Sequence, residues 1–92
     1  MSILSRINEI SELAGNLTSL DDIAVLLDID IDDLRLELAN PSSRVRKAYM
    51  KARAATALVL RKQEIELAKV GSPLAVQLTN AYLRDMISNE DL

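Results

Sequence analysis

From Ser42 to Val70 the chain reads SSRVRKAYMKARAATALVLRKQEIELAKV, without a proline or glycine until Gly71. Alanines at Ala48, Ala52, Ala54, Ala55 and Ala57 make its middle strongly helix-forming. The spacing predicts one helix. At ~1.5 Å per residue it would be about 43 Å long, whereas a compact globule of this chain length has a radius of gyration of only ~12 Å. Such a helix either runs past the globule or is covered by a second helix or another subunit.

The charge of this stretch sets it apart. Between Leu38 and Gln63 there is no acidic residue, while seven basic ones occur: Arg44, Arg46, Lys47, Lys51, Arg53, Arg61 and Lys62. The whole chain carries a formal charge of −3, and the residues up to Leu38 hold nine acids against Arg6 and Arg35. A basic middle in an acidic chain suggests a polyanionic partner, or contacts between unlike segments within or between subunits.

Periodicity organises the remainder as short helices. Ser2 to Ala14 places Ile3, Ile7, Ile10, Ala14 and Leu17 on one face, with Gly15-Asn16 as a stop that tolerates positive φ. Thr18 with Asp21, or Ser19 with Asp22, opens a second helix in capping-box style; its apolar stripe is Leu20, Ile23, Ala24 and Leu27. Asp30 caps a third helix reaching about Ala39, with Ile31, Leu34, Leu38 and Leu36 apolar, and Asn40-Pro41 ends it. Ser42 or Ser43 caps the long helix. Val45, Ala48, Tyr49, Ala52, Ala55 and Val59 line one of its faces, and Leu58, Ile65 and Ala68 a neighbouring one.

Gly71-Ser72-Pro73 supplies a glycine stop, a serine cap and a first-turn proline in succession. A fifth helix to about Ile87, with Leu74, Leu78, Ala81, Tyr82 and Met86 apolar, then folds back antiparallel on the fourth. The expected fold is all-α: a helix-turn-helix-like three-helix unit over 1–40, a long helical hairpin for oligomerisation over 41–87, and a tail over 88–92. A chain of this size buries only about 60–65% of its unfolded surface, and without cysteine no disulfide or thiolate metal site supports it. More apolar positions surround the long helix than one antiparallel partner covers. Ala48, Ala52, Ala55, Leu58 and Val59 are therefore read as a homo-oligomer interface, with a simple intrachain core as the alternative.

Catalytic chemistry is not expected. There is no histidine, no cysteine and no glycine-rich phosphate loop, and the serines and threonines fall mostly at helix caps. The run Asp28, Asp30, Asp32, Asp33 lacks the glycine and closing glutamate of a calcium loop, and Ile29, Ile31 and Leu34 occupy its intervening positions. It reads as capping and solubility, so no metal or cofactor is expected. The longest uncharged apolar run in the long helix, AATALVL, is far short of a membrane span, and the N-terminus lacks a signal-like run. A soluble intracellular protein with no membrane partner is expected.

SLDDIAVLLDIDIDDLRLEL has the form of two short helices joined by a tight turn, a helix-turn-helix pattern. Its second helix offers Asp30, Asp32, Asp33 and Glu37 with only Arg35 basic, and carboxylates are repelled by phosphates. Contact with nucleic acid is therefore assigned to Arg44, Arg46, Lys47 and Lys51 at the start of the long helix, where the dipole also favours an anion, with Arg35 beside them. The alternative is a solvated surface, or ion pairs with the acidic helices. Tyr49 and Tyr82, the only aromatics, sit on apolar faces, so a duplex read through phosphates fits better than stacking along a single strand.

SLDDIAVLLDIDIDDLRLEL followed by AYMKARAATALVLRKQEIELAKVGSPLAVQLTNAYL resembles phage terminase small subunits and related prophage helix-turn-helix proteins, over about Thr18 to Met86, most distinctively in LAKVGSPLA. The resemblance implies a ring-forming, non-enzymatic subunit that recognises viral double-stranded DNA for packaging and hands it to a large terminase ATPase-nuclease. It implies a phage- or prophage-encoded protein in the bacterial cytoplasm. Two other readings stand beside it: a protein–protein adaptor whose basic helix meets an acidic partner, and a small dimeric helix-turn-helix transcription regulator.

Overall fold

The computed structural model describes residues 2–90. A one-turn 3-10 helix, Ile3–Arg6, leads into five α-helices: α1 Ile7–Gly15, α2 Leu20–Leu27, α3 Ile31–Ala39, α4 Arg44–Lys69 and α5 Pro73–Glu90. No strand occurs among the described residues, so the fold is all-α with one long helix, as the periodicity requires. The tail expected from residue 88 is helical as far as Glu90, because Ser88 and Asn89 bond back to the Asp85 carbonyl and nothing in the sequence breaks the turn. Residues 91–92 of that expected tail lie outside the described residues.

Side-chain oxygens fix where the helices begin. Ser19 Oγ accepts from the Asp22 amide at 3.2 Å to start α2, so of the two predicted caps it is this one that forms. Asp30 Oδ1 accepts from the amides of Asp32 and Asp33 at 2.9 and 3.1 Å to start α3. For α4 the cap is Ser43, whose Oγ accepts from the Arg46 amide at 3.1 Å and donates to Glu37 Oε1 at 2.9 Å. Ser42 instead donates its amide to Asn40 Oδ1, forming the turn that precedes the helix.

Three helices end alike, with a left-handed residue and paired bonds back to the last turn. Gly71, at φ +93°, closes α4 through Gly71 N–H to the Ala68 carbonyl and Ser72 N–H to the Leu67 carbonyl. Asp28 (φ 53°) closes α2 in the same way, and Leu17 (φ 58°) closes α1. The α1 stop therefore differs from the expected one. Gly15 belongs to the helix, and the positive φ falls two residues later on Leu17, which stands 51% exposed instead of joining the apolar face.

The chain gathers into two compact units, the first ending at Thr56 and the second beginning at Ala57. The boundary lies inside α4, not at Pro41, because the N-terminal half of α4 completes the first core. Ile10 and Ala14 of α1, Ile23, Ala24 and Leu27 of α2, Leu34 of α3, and Val45 and Tyr49 of α4 are buried together. Ile3, Ile7, Leu20, Ile31, Leu38 and Ala52 pack around them. Thr56 Oγ1 donates to the Gly15 carbonyl at 2.6 Å, and Arg6 Nη1 donates to the Leu27 carbonyl at 3.0 Å, tying α1 to the end of α2. The Arg6 guanidinium also holds the Glu9 carboxyl below its usual pKa range through a 2.6 Å hydrogen bond. Leu36, a candidate apolar contact of α3, is 72% exposed.

The second unit is built differently. Ala75 is its only buried side chain among the described residues. Arg61 of α4 lies over the Tyr82 ring of α5 at 6.0 Å, so α5 turns back alongside α4. Yet Leu58, Val59, Leu60, Ile65 and Leu67 of α4 are all exposed, as are Val70 in the turn after it and Leu74, Val76, Leu83, Met86 and Ile87 of α5. A groove of about 580 Å³ with Ile65, Leu83 and Met86 in its wall runs between the two helices. Of the α5 residues expected to face inward, only Leu78 and Tyr82 are half-buried, while Leu74, Ala81 and Met86 face solvent.

The two glycines should respond oppositely to alanine. A Cβ on Gly15 meets Thr56 Oγ1 at 3.8 Å and Ala52 Cβ at 3.9 Å, which is ordinary contact. Gly15→Ala should then raise stability by about 0.5 kcal/mol, because alanine is the better helix former. Gly71→Ala, at positive φ, should lower it by about 1 kcal/mol through backbone strain alone. Urea titration followed by circular dichroism reads both changes.

Candidate nucleic-acid interface

The geometry of α4 sorts the predicted basic residues into two groups. Arg44, Lys47 and Lys51 are exposed, whereas Val45 and Tyr49 are buried and Ala48 and Ala52 half-buried. Spacings of three and four keep the three cations on one stripe, turned away from the core face of the same helix. Among the described residues none of the three takes part in an ion pair. Met50, 48% exposed, lies beside them.

Arg46 and Arg35 are placed otherwise. Arg46 is half-buried, and its Nη1 donates to the Leu38 carbonyl at 2.8 Å, satisfying an acceptor in the last turn of α3. Its charge is spent on holding α3 to α4. Arg35 is exposed on α3 and reaches Asp21 of α2 at 3.5 Å, a long and solvated pair. Arg53, left out of the predicted patch, stacks over the Tyr49 ring at 5.2 Å and donates to its hydroxyl at 3.3 Å. The stripe thus consists of Arg44, Lys47 and Lys51.

Electrostatically, the start of α4 is under-supplied with anions. A helix N-terminus carries a partial positive charge and is stabilised by acidic side chains, not basic ones. The first turn of α4 has no acid, and Arg44 is its first residue. Glu37, reaching over from α3 to Ser43, is the nearby carboxylate, and sequence spacing gave no sign of it. A phosphate at this end would meet exposed cations and a helix dipole of the same sign.

The acids fall on the other two helices of the helix-turn-helix-like pair. Asp21, Asp22, Asp28, Asp30, Asp32 and Asp33 are all exposed on or between α2 and α3. No group of three or more acidic side chains gathers as a metal site among the described residues. Carboxylates repel a phosphate backbone, so this surface is a poor match for nucleic acid.

The residues expected at an oligomer interface divide across the two units. Ala48 and Ala52 are half-buried in the first, with Ala52 packed on the core, while Ala55, Leu58 and Val59 are exposed. No helix among the described residues is long and apolar enough to cross a membrane. Comparison of the chain with protein-family models, curated proteins and solved structures finds no match.

Stability and binding should separate across these cations. Arg46→Ala should destabilise the first unit by about 1–2 kcal/mol, because a buried carbonyl loses a charged donor. Lys47→Ala and Lys51→Ala should leave the melting temperature within about 1 °C of wild type, since neither side chain makes a contact that folding uses. Thermal melts of the three single variants check this.

Proposed function

We propose that the protein is a non-enzymatic, homo-oligomeric DNA-binding protein that holds duplex DNA through its phosphates. The observation carrying this reading is the stripe of Arg44, Lys47 and Lys51. These are three exposed, unpaired cations on a face of α4 that the core does not use, at a helix end that already favours an anion. The stripe makes no base-reading arrangement of its own, so it supplies affinity and orientation more than sequence choice.

The second unit supports the homo-oligomeric part of this reading. Leu58, Val59, Leu60, Ile65, Leu67, Val70, Leu74, Val76, Leu83 and Ile87 are all exposed there, an apolar concentration of the kind that marks an interaction surface. Repeating a stripe of three cations around an assembly also raises total affinity without any new contact per copy, by avidity. That combination supports the packaging reading, in which a phage- or prophage-encoded subunit of terminase small-subunit type engages viral DNA and presents it to a large ATPase-nuclease. The phage assignment itself rests on the sequence resemblance. A protein–protein adaptor would use the same stripe against acidic side chains and would show no preference for DNA.

Retention of a duplex on the protein at rising salt tests the stripe. Wild type should show a steep fall of affinity with salt. Arg44→Ala/Lys47→Ala/Lys51→Ala should bind at least about tenfold more weakly and lose up to about 2.7 from the log–log slope per copy engaged, at ~0.9 per phosphate contact. A triple variant that matched wild type in affinity and slope would remove DNA contact at this stripe.

A further inference from the structure

We propose that the acidic groove between α2 and α3 of one copy docks the basic start of α4 of a second copy. The inference rests on the homo-oligomer reading and is independent of DNA binding. The groove encloses about 610 Å³. Val25, Ile29 and Ile31 form its apolar part and Asp21, Asp28 and Asp30 its rim. Val25 is 74% exposed, covered by none of the described residues. Asp30 Oδ1 is committed to the amides of Asp32 and Asp33, which fixes that carboxylate in place while the group stays exposed to solvent.

Charge identifies the occupant. Within one chain the fold does not neutralise these opposite surfaces against each other. Among the described residues no ion pair joins Arg44, Lys47 or Lys51 to any aspartate; on the rim Arg35 reaches Asp21 at 3.5 Å, and the Arg6 guanidinium lies in the field of Asp28. The stripe on α4 carries the complementary pattern, three cations beside the exposed apolar side chain of Met50. Three carboxylates around an apolar floor thus face three cations beside an apolar knob, in the way complementary interfaces pair their potentials.

Such a contact joins unlike surfaces, so it is heterologous and propagates from copy to copy until a ring closes or a filament extends. Exposed ion pairs are weak one at a time. The contact therefore depends on the high local concentration of neighbours in an assembly held elsewhere, and it orients the first units more than it binds them. DNA and the acidic groove compete for the same cations, so the aspartates occupy the stripe until a stronger polyanion displaces them.

Carbodiimide coupling of an equimolar mixture of isotope-labelled and unlabelled chain tests the arrangement, because it links only touching amines and carboxylates. The expected product joins Lys47 or Lys51 of one copy to Asp21 or Asp28 of another. Its yield should fall at least about tenfold between ~50 mM and ~500 mM salt, where screening shortens from about 14 Å to about 4 Å. The product should vanish in Asp21→Lys/Asp28→Asn and in Lys47→Glu/Lys51→Glu taken singly, and return when those two variants are mixed. Asparagine is chosen at 28 because it tolerates the positive φ there. An assembly of unchanged mass that lacks this product, or whose aspartates couple instead to Lys62 or Lys69, overturns the docking while leaving the oligomer reading intact. A monomer overturns both. Retained DNA binding by Asp21→Lys/Asp28→Asn keeps the DNA reading separate from either result.

Discussion

The two halves of α4 meet different fates, and the rest of the structure follows from that difference. The first half buries Val45 and Tyr49 among side chains from α1, α2 and α3. The second half carries apolar side chains that α5 leaves in solvent. Fully burying a residue such as leucine or isoleucine stabilises by about 1.5–3 kcal/mol. Covering the exposed apolar residues of the hairpin would then release on the order of 10 kcal/mol, enough to offset much of the cost of association. A two-helix hairpin with a single buried side chain among its described residues has no comparable source of stability there.

Charge follows the same division of labour. In the first unit Asp30 caps α3, Asp21, Asp22, Asp32 and Asp33 complement the positive ends of α2 and α3, and Asp28 takes the left-handed position that closes α2. That use explains their number without any ligand. Their cost is a surface that repels phosphates, whereas the start of α4 carries exposed cations and no acid in its first turn. Arg46 and Arg53 are held by Leu38 and Tyr49, which leaves Arg44, Lys47 and Lys51 as the exposed cations of this stretch outside any ion pair among the described residues. The core and the stripe share one helix but use different faces, so a substitution on the stripe leaves the core contacts in place.

Much of the fold was legible because its signals are local. Ser19, Asp30 and Ser43 cap where hydroxyls and carboxylates precede apolar runs, and Gly71-Ser72-Pro73 marks a stop, a cap and a start in three residues. The end of α1 was not legible, because a leucine takes a left-handed conformation that the neighbouring glycine would adopt more easily. Leu17 and Leu36 match the helical period yet stay exposed, Leu17 because it lies past the end of α1 in a left-handed conformation. The boundary between units was hidden because it falls inside an unbroken helix, where composition hardly changes. For the site, exposure of Arg44, Lys47 and Lys51 agrees with the spacing, whereas the tie of Arg46 to a carbonyl eight residues back is a tertiary fact that no local pattern encodes.

The surplus apolar surface of the hairpin is the central claim, and the mass of the chain in solution tests it most directly. Sedimentation equilibrium at micromolar concentration and high salt removes electrostatic association and leaves the apolar contact alone. The account predicts a mass several times that of one chain, reduced towards a single chain by Leu58→Asp with Leu83→Asp. A wild-type chain that sediments as a stable, fully helical monomer under those conditions would contradict it.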